Sequence, residues 1–310
     1  MNLCPCTIIL RTLNTTTINL TNYGLGPRGC AALVVGLIRN TTVLSLNLSG
    51  NNIGNAGMTH LYQIITENAF IEEYDLSFNN LGTKGNEKLV KAIANCNQLK
   101  TLNVAGNELT HTVLQLLLEK LEDHSHLKNL NISHNELDEE GGEFLAGWIA
   151  ENHSLVNFDA SWCSIRLKGA VAMAKAIGEN NRLETLDLSY NSFTNQTIPF
   201  ITNSLTSNSA LLELNLRGSH FISRFEGEVK IKPDCLINGK ECQIYDMFVA
   251  AATNQSLKIL QLGENHIDER CLMIMLESLA EVEDISLEEL DLTVCLSMYV
   301  YENVVFLLFL

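Results

Sequence analysis

A chain of 310 residues, 46% apolar and 18% charged, has enough hydrophobic side chain for a large core, arranged either as two compact domains or as one elongated array. Its 36 acidic residues against 20 basic ones give a net charge of −16 with no run of Lys or Arg. This argues against nucleic acid and membrane as partners and for a protein with a basic or neutral patch. Nine cysteines, an odd number without paired metal-type spacing, argue against a zinc site and for reduced thiols.

The N-terminal stretch MNLCPCTIILRTLN has no basic n-region, and its apolar patch is too short for a signal peptide, so a cytoplasmic or nuclear setting is expected. Residues 8–14 align with 36–42, the end of a helix; residues 1–14 are therefore expected to be the end of an incomplete repeat.

From residue 15 onward one pattern recurs. VLSLNLSGNNIG at 43 returns as IEEYDLSFNNLG at 71, LKTLNVAGNELT at 99, LKNLNISHNELD at 127, LVNFDASWCSIR at 155 and LETLDLSYNSFT at 183, always 28 residues apart. A degenerate first copy starts at 15 and another at 211; two more, at 257 and 287, follow at steps of 46 and 30. In LSLNLS, apolar and polar residues alternate as in a half-buried strand, whereas GNEKLVKAIANC and LKGAVAMAKAIGEN have the three- and four-residue spacing of an amphipathic helix. One strand and one helix cannot bury an apolar face alone, but stacked copies can. Helices are wider than the roughly 4.8 Å strand spacing, so stacking predicts an α/β horseshoe solenoid with parallel strands on the concave face and helices on the convex face.

The pattern L-x-x-L-x-L-x-x-N-x-L resembles the leucine-rich repeat, and its 28-residue period resembles the ribonuclease-inhibitor type. AVAMAKAIGENNRLETLDLSYN and LEELDL are similar to the standalone group typified by leucine-rich repeat-containing protein 74. The resemblance implies that the Asn after each strand bonds the backbone of neighbouring turns, here Asn51, Asn79, Asn107, Asn135, Asn191 and Asn265. Cys163 and Cys295 stand in that column, where a buried thiol replaces Asn in the family. No basic neighbour is placed to activate Cys163, so a structural role is expected rather than a nucleophilic one.

Two columns are candidate contact surfaces. The exposed strand position reads Asn19, Asn47, Asp75, Asn103, Asn131, Asp159, Asp187, Asn215, Gln261 and Asp291: a solvated inner face, or the surface on which such an array receives a partner. Asp75, Asp159 and Asp187 would favour a basic patch, and Arg217 is the one cation among the exposed strand positions. One place before the Asn column stand Phe78, His134, Trp162 and Tyr190, which either anchor a partner or pack on one another along the loops.

Residues 223–240 are inserted into the copy at 211 and mix charges with Pro and Gly. They are expected to form an exposed loop, as a second contact surface or as tolerated length. The array is thus expected over 15–295. The apolar tail 296–310 is shorter than the roughly 20 residues of a membrane span. It is expected to be a capping strand, an aggregation-prone end or a departure from a parent sequence.

The sequence has no glycine-rich phosphate loop, metal cluster or nucleophile with an orienting base, so no catalytic residue, cofactor, metal or small-molecule substrate is expected. His124 and His126 are expected to be a solvated pair at a helix-to-strand turn. The leading expectation is a non-enzymatic interaction scaffold binding a protein through the concave face and aromatic rim. The alternative, by resemblance to GTPase-activating repeat proteins, is a regulator of a small GTPase, an activity that often supplies an arginine in trans, for which Arg217 is a poor candidate on its own.

Overall fold

A computed structural model describes residues 11–223, 243–268, 271–272, 276, 285–293 and 307–309. The inserted loop beyond Ser223, Cys295 and most of the apolar tail lie outside the described residues. The chain divides into two compact units, Met1–Leu137 with Ser154–Asp159, and Asp138–His153 with Ala160–Leu310.

In the first unit, strands β1 (Thr17–Asn19), β2 (Ser45–Asn47), β3 (Glu73–Asp75), β4 (Thr101–Asn103), β5 (Asn129–Asn131) and β6 (Asn157–Asp159) pair in parallel, each with the next. Alternation decides which face is buried. The middle residues Ile18, Leu46, Tyr74, Leu102, Leu130 and Phe158 are at most 2% exposed and lie in register, while their flanking polar neighbours face outward. Helices α1 (Gly26–Leu37), α2 (Gly54–Glu67), α3 (Gly82–Ile93) and α4 (His111–Leu121) pack each on the next. They bury residues at helical spacing, as in Cys30, Leu33 and Leu37 or Val113, Leu114, Leu117 and Leu121. Each such side chain contributes about 1.5–3 kcal/mol of hydrophobic burial. Tyr74 brings a hydroxyl into this core that has no hydrogen-bond partner, and burial raises its pKa well above the usual phenol value. Burial likewise pushes the thiols of Cys30 and Cys96 up to about 12.

The second unit repeats the arrangement with helices α5 (Asp138–Glu151), α6 (Leu167–Glu179), α7 (Thr194–Ser207) and α8 (Gln243–Thr253), and with strands β7 (Thr185–Asp187), β8 (Glu213–Asn215), β9 (Ile259–Gln261) and β10 (Glu289–Asp291). Neighbouring strands from β7 to β10 are parallel, and a last strand, β11 (Leu307–Phe309), pairs antiparallel with β10. The α/β solenoid repeat expected from the sequence is thus present in both units. Asp138, Glu139 and Glu140 crowd the first turn of α5, where the helix dipole favours carboxylates.

Two ladders of buried amides tie successive copies together. At the strand end, Asn107 Nδ2 donates to the carbonyls of Leu76, Val104 and Ala105 at 2.9–3.2 Å, while its Oδ1 accepts from Asn79 N at 3.0 Å. Asn107 N in turn donates to Asn135 Oδ1. Asn51, Asn79, Asn135, Asn191 and Asn265 repeat the motif within their own units. The backbone N–H of Cys163, which is fully buried, donates to Asn191 Oδ1, the bond an Asn makes from this place in the ladder.

The second ladder lies at the helix end and is not among the sequence expectations. Asn68 Nδ2 donates to Leu37 O and Asn40 O at 2.7 and 2.8 Å, and its Oδ1 accepts from Phe70 N and Ile71 N. Asn180, Asn208 and Asn254 do the same in the second unit. His124 occupies this column, which corrects the expectation of a solvated pair. Its side chain is buried, with Nε2 3.0 Å from Ile93 O and Nδ1 without a partner, whereas His126 is exposed. The copy-to-copy bond that an amide would make takes precedence over solvation of the ring.

Candidate functional site

The polar strand column is more committed to the fold than its exposure in the sequence implies. In the first unit, Asp75 Oδ1 accepts from Ser77 N and Ser77 Oγ, and Oδ2 accepts from Asn47 Nδ2 at 3.1 Å. Asn131 Nδ2 donates to Asp159 Oδ2 at 2.7 Å. In the second unit, Asp187 Oδ1 accepts from Ser189 N and Oγ, and Oδ2 from Asn215 Nδ2 at 2.8 Å. Asp75 and Asp187 therefore each close a turn at the end of their own strand and tie a neighbouring amide, and Asp159 ties the amide of Asn131. The residues remain half-buried, so they retain an outward-facing edge.

The neighbouring rim column has a backbone conformation that spacing alone does not show. Phe78, His134, Trp162 and Tyr190 all have left-handed φ, between 52° and 54°. Bulky residues are rare there, and each costs about 1–3 kcal/mol of local strain. The turns are over-determined from outside: Phe78 N donates to Ala105 O, Trp162 N to Ser189 O and Tyr190 N to Arg217 O, at 2.7–3.0 Å. The side chains are thereby aimed outward, and Phe78 and Trp162 are each 50% exposed.

The structure gathers these aromatics in two groups. In the first unit, Phe78 lies 5.6 Å from His134, ring to ring and tilted, after crossing the copy that carries Gly106. In the second unit, Trp162 and Tyr190 stack with centroids 4.2 Å apart and planes 18° from parallel. Tyr190 continues over Gly218, whose φ of +60° and close approach to the Tyr190 ring leave no room for a side chain. Its hydroxyl donates to Glu264 Oε1 at 2.9 Å. Burial first, then the hydrogen bond and charge of Glu264, raise the Tyr190 pKa; Asp187 adds to the rise and Arg217 opposes it.

Arg217, the one cation among the exposed strand positions of the sequence expectation, is engaged within the second unit. Its guanidinium crosses Gly263 and meets Asp291 Oδ2 at 3.3 Å, Glu264 Oε1 at 3.5 Å and the hydroxyl of Thr293. Among the described residues, no cluster of three His, Cys, Asp or Glu side chains could hold a metal ion.

Residues 39–61 and 123–146 match a family model described as Leucine Rich repeat, and residues 182–204 match another described as Leucine Rich Repeat. The chain carries leucine-rich repeats. A comparison with curated proteins gives no match. Among solved structures, these repeats are similar to leiomodin-1 actin-binding site 2, with 21% identity over 42% of this chain and 76% of that one and a TM-score of 0.37. They are also similar to the tropomodulin C-terminal domain of Caenorhabditis elegans, with 18% identity over 50% of this chain and 92% of that one and a TM-score of 0.40.

Proposed function

We propose that this leucine-rich repeat chain is a non-enzymatic scaffold that binds a protein partner through its strand face and the rim aromatics Phe78, His134, Trp162 and Tyr190. The observation that carries the reading is the rim column. Large side chains occupy strained left-handed positions where glycine would fit at less cost; Phe78, His134 and Trp162 are exposed and Tyr190 is half-buried. Strain retained at an outward-facing site is an expense a fold tolerates when the side chain has a use. The half-buried edges of Asp75, Asp159 and Asp187 favour a basic or neutral patch on the partner. The 28-residue period supports repeats of the ribonuclease-inhibitor type and a place beside the standalone proteins of that type, and the buried, high-pKa thiols of Cys30 and Cys96 suit a reducing cytoplasmic or nuclear setting.

The test is affinity capture of protein partners with a Trp162→Ala/Tyr190→Ala/Asp187→Lys variant, folded by circular dichroism, beside wild type and a helix-face control, Lys84→Glu. Partners lost from the first variant and kept by the control support the strand face. Identical partner sets for all three proteins would overturn it.

A further inference from the structure

On the helix side of the second unit, α5, α6 and α7 line an open cleft of about 580 Å³. Short side chains between taller ones help to form it. At matching places of successive copies, α5 carries Glu143 and Phe144, α6 carries Val171 and Ala172, and α7 carries Pro199 and Phe200. Gly142 and Gly169 bring α5 and α6 into close contact, since a Cβ on Gly169 would lie 2.4 Å from Glu139 O and 3.0 Å from Gly142 Cα. On the other side, Lys175 Nζ leans toward α7 and lies 4.8 Å from the centre of the Phe200 ring.

Two features of the cleft point to an occupant. The first is apolar. Leu167, the first residue of α6, lines the cleft, is 58% exposed and holds a left-handed φ of 50°, a strained conformation for a bulky side chain. With Val171 and Ala172 it forms a mostly apolar floor. The second is charge. Glu139 and Glu143 border the floor from α5, and Lys168 and Lys175 border it from α6. Among the described residues, none of these four groups is in an ion pair. Both signs of charge are therefore left to be met from outside.

An apolar floor with carboxylates on one border and ammonium groups on the other is complementary to a rod that has an apolar stripe between a basic and an acidic flank. An amphipathic α-helix is such a rod. It is about 10–12 Å across with its side chains and lays its apolar stripe into a groove between packed helices. A wholly acidic helix would meet Glu139 and Glu143, and a wholly basic one would meet Lys168 and Lys175, so neither is matched.

We propose that the α5–α6–α7 cleft receives an amphipathic helix of a partner protein, its apolar stripe on Leu167, Val171 and Ala172, its basic flank toward Glu139 and Glu143 and its acidic flank toward Lys168 and Lys175. This is a second interaction surface, on the helix side, and it stands or falls separately from the strand-face reading.

The experiment is fluorescence anisotropy of the full chain with a labelled, stapled helical peptide that carries a leucine stripe, arginines along one flank and glutamates along the other. Matched peptides carry glutamate on both flanks, or serine in place of the leucines. Expected are saturable binding of the mixed peptide, roughly fivefold weaker binding of the glutamate-flanked peptide and loss of binding with serine. Ala172→Arg, which raises the floor from a half-buried place on α6, should weaken the mixed peptide by about tenfold. Glu139→Lys/Glu143→Lys should invert the preference, so that the glutamate-flanked peptide binds better than the mixed one. A damaged fold does not produce such an inversion. Failure of the mixed peptide to bind, binding undiminished by Ala172→Arg, or a preference that the double charge reversal leaves as it was would each overturn the proposal.

Discussion

The two units use the same pair of ladders and interrupt opposite ones. In the first unit the strand-end ladder, after Tyr23 in the first copy, is unbroken, with Asn51, Asn79, Asn107 and Asn135 all buried, whereas the helix-end ladder begins with Asn40 and Asn68 and then meets Cys96 and His124. In the second unit the helix-end ladder runs through Asn152, Asn180, Asn208 and Asn254, and the strand-end column reads Cys163, Asn191, Ser219 and Asn265. Where the amide is missing at the helix end, the turn closes through backbone alone, with Leu99 N on Cys96 O and Leu127 N on His124 O. At Ser219 the hydroxyl is buried without a partner. A short array therefore holds with one intact ladder per unit, and an interruption is tolerated where the parallel ladder continues.

The largest effect that tests this contrast is Asn107→Ala. It strands carbonyls on two turns and the N–H of Asn79 in the interior, and should cost about 3–5 kcal/mol in urea denaturation, since each buried orphan costs about 1–3 kcal/mol. A cost under 1 kcal/mol would mean that the ladder is incidental to stability.

The next effect is repair. Ser219→Asn in the second unit and His124→Asn in the first should each raise stability by about 1 kcal/mol, because each replaces a buried group with an unmet bond by one that neighbouring copies are shaped to receive. Losses in both variants would show that the interruptions are already compensated locally.

The smallest effect concerns Cys30 and Cys96 in the first unit. Their folded pKa of about 12 lies above the ordinary value of 9.0, so the fold favours the neutral thiol. This stabilisation is fully present below pH 9 and is withdrawn as pH climbs from 9 toward 12, where the unfolded thiols ionise and the folded ones do not. Cys30→Ala/Cys96→Ala should flatten that decline, and mass spectrometry after alkylation at pH 8 should leave both sites unlabelled in the folded wild type.

The repeat, its strands and its first ladder were legible because a 28-residue period puts Leu and Asn in fixed columns whatever surrounds them. The second ladder has the same period at 68, 152, 180 and 208 but is broken by Cys96 and His124 at 96 and 124, and asparagines near helix ends read as ordinary polar turn residues. Spacing also placed Phe78, His134, Trp162 and Tyr190 in one column without revealing which would touch. That depends on ring direction, and on Gly218 leaving room for Tyr190 to reach Glu264. The ion pairs of Arg217 were hidden for the same reason: its outlet is the missing side chain of Gly263, a residue 46 positions away.

The rim column also bears on how such a surface can change over generations. Asn22, Gly50, Phe78, Gly106, His134, Trp162, Tyr190, Gly218 and Glu264 share one backbone shape although their side chains have almost nothing in common. The main chain there is held by adjacent copies and is indifferent to what it displays, so the column behaves as a row of interchangeable sockets. A lineage can rewrite the molecular address it presents, one socket at a time, while the buried leucines beneath stay as they are.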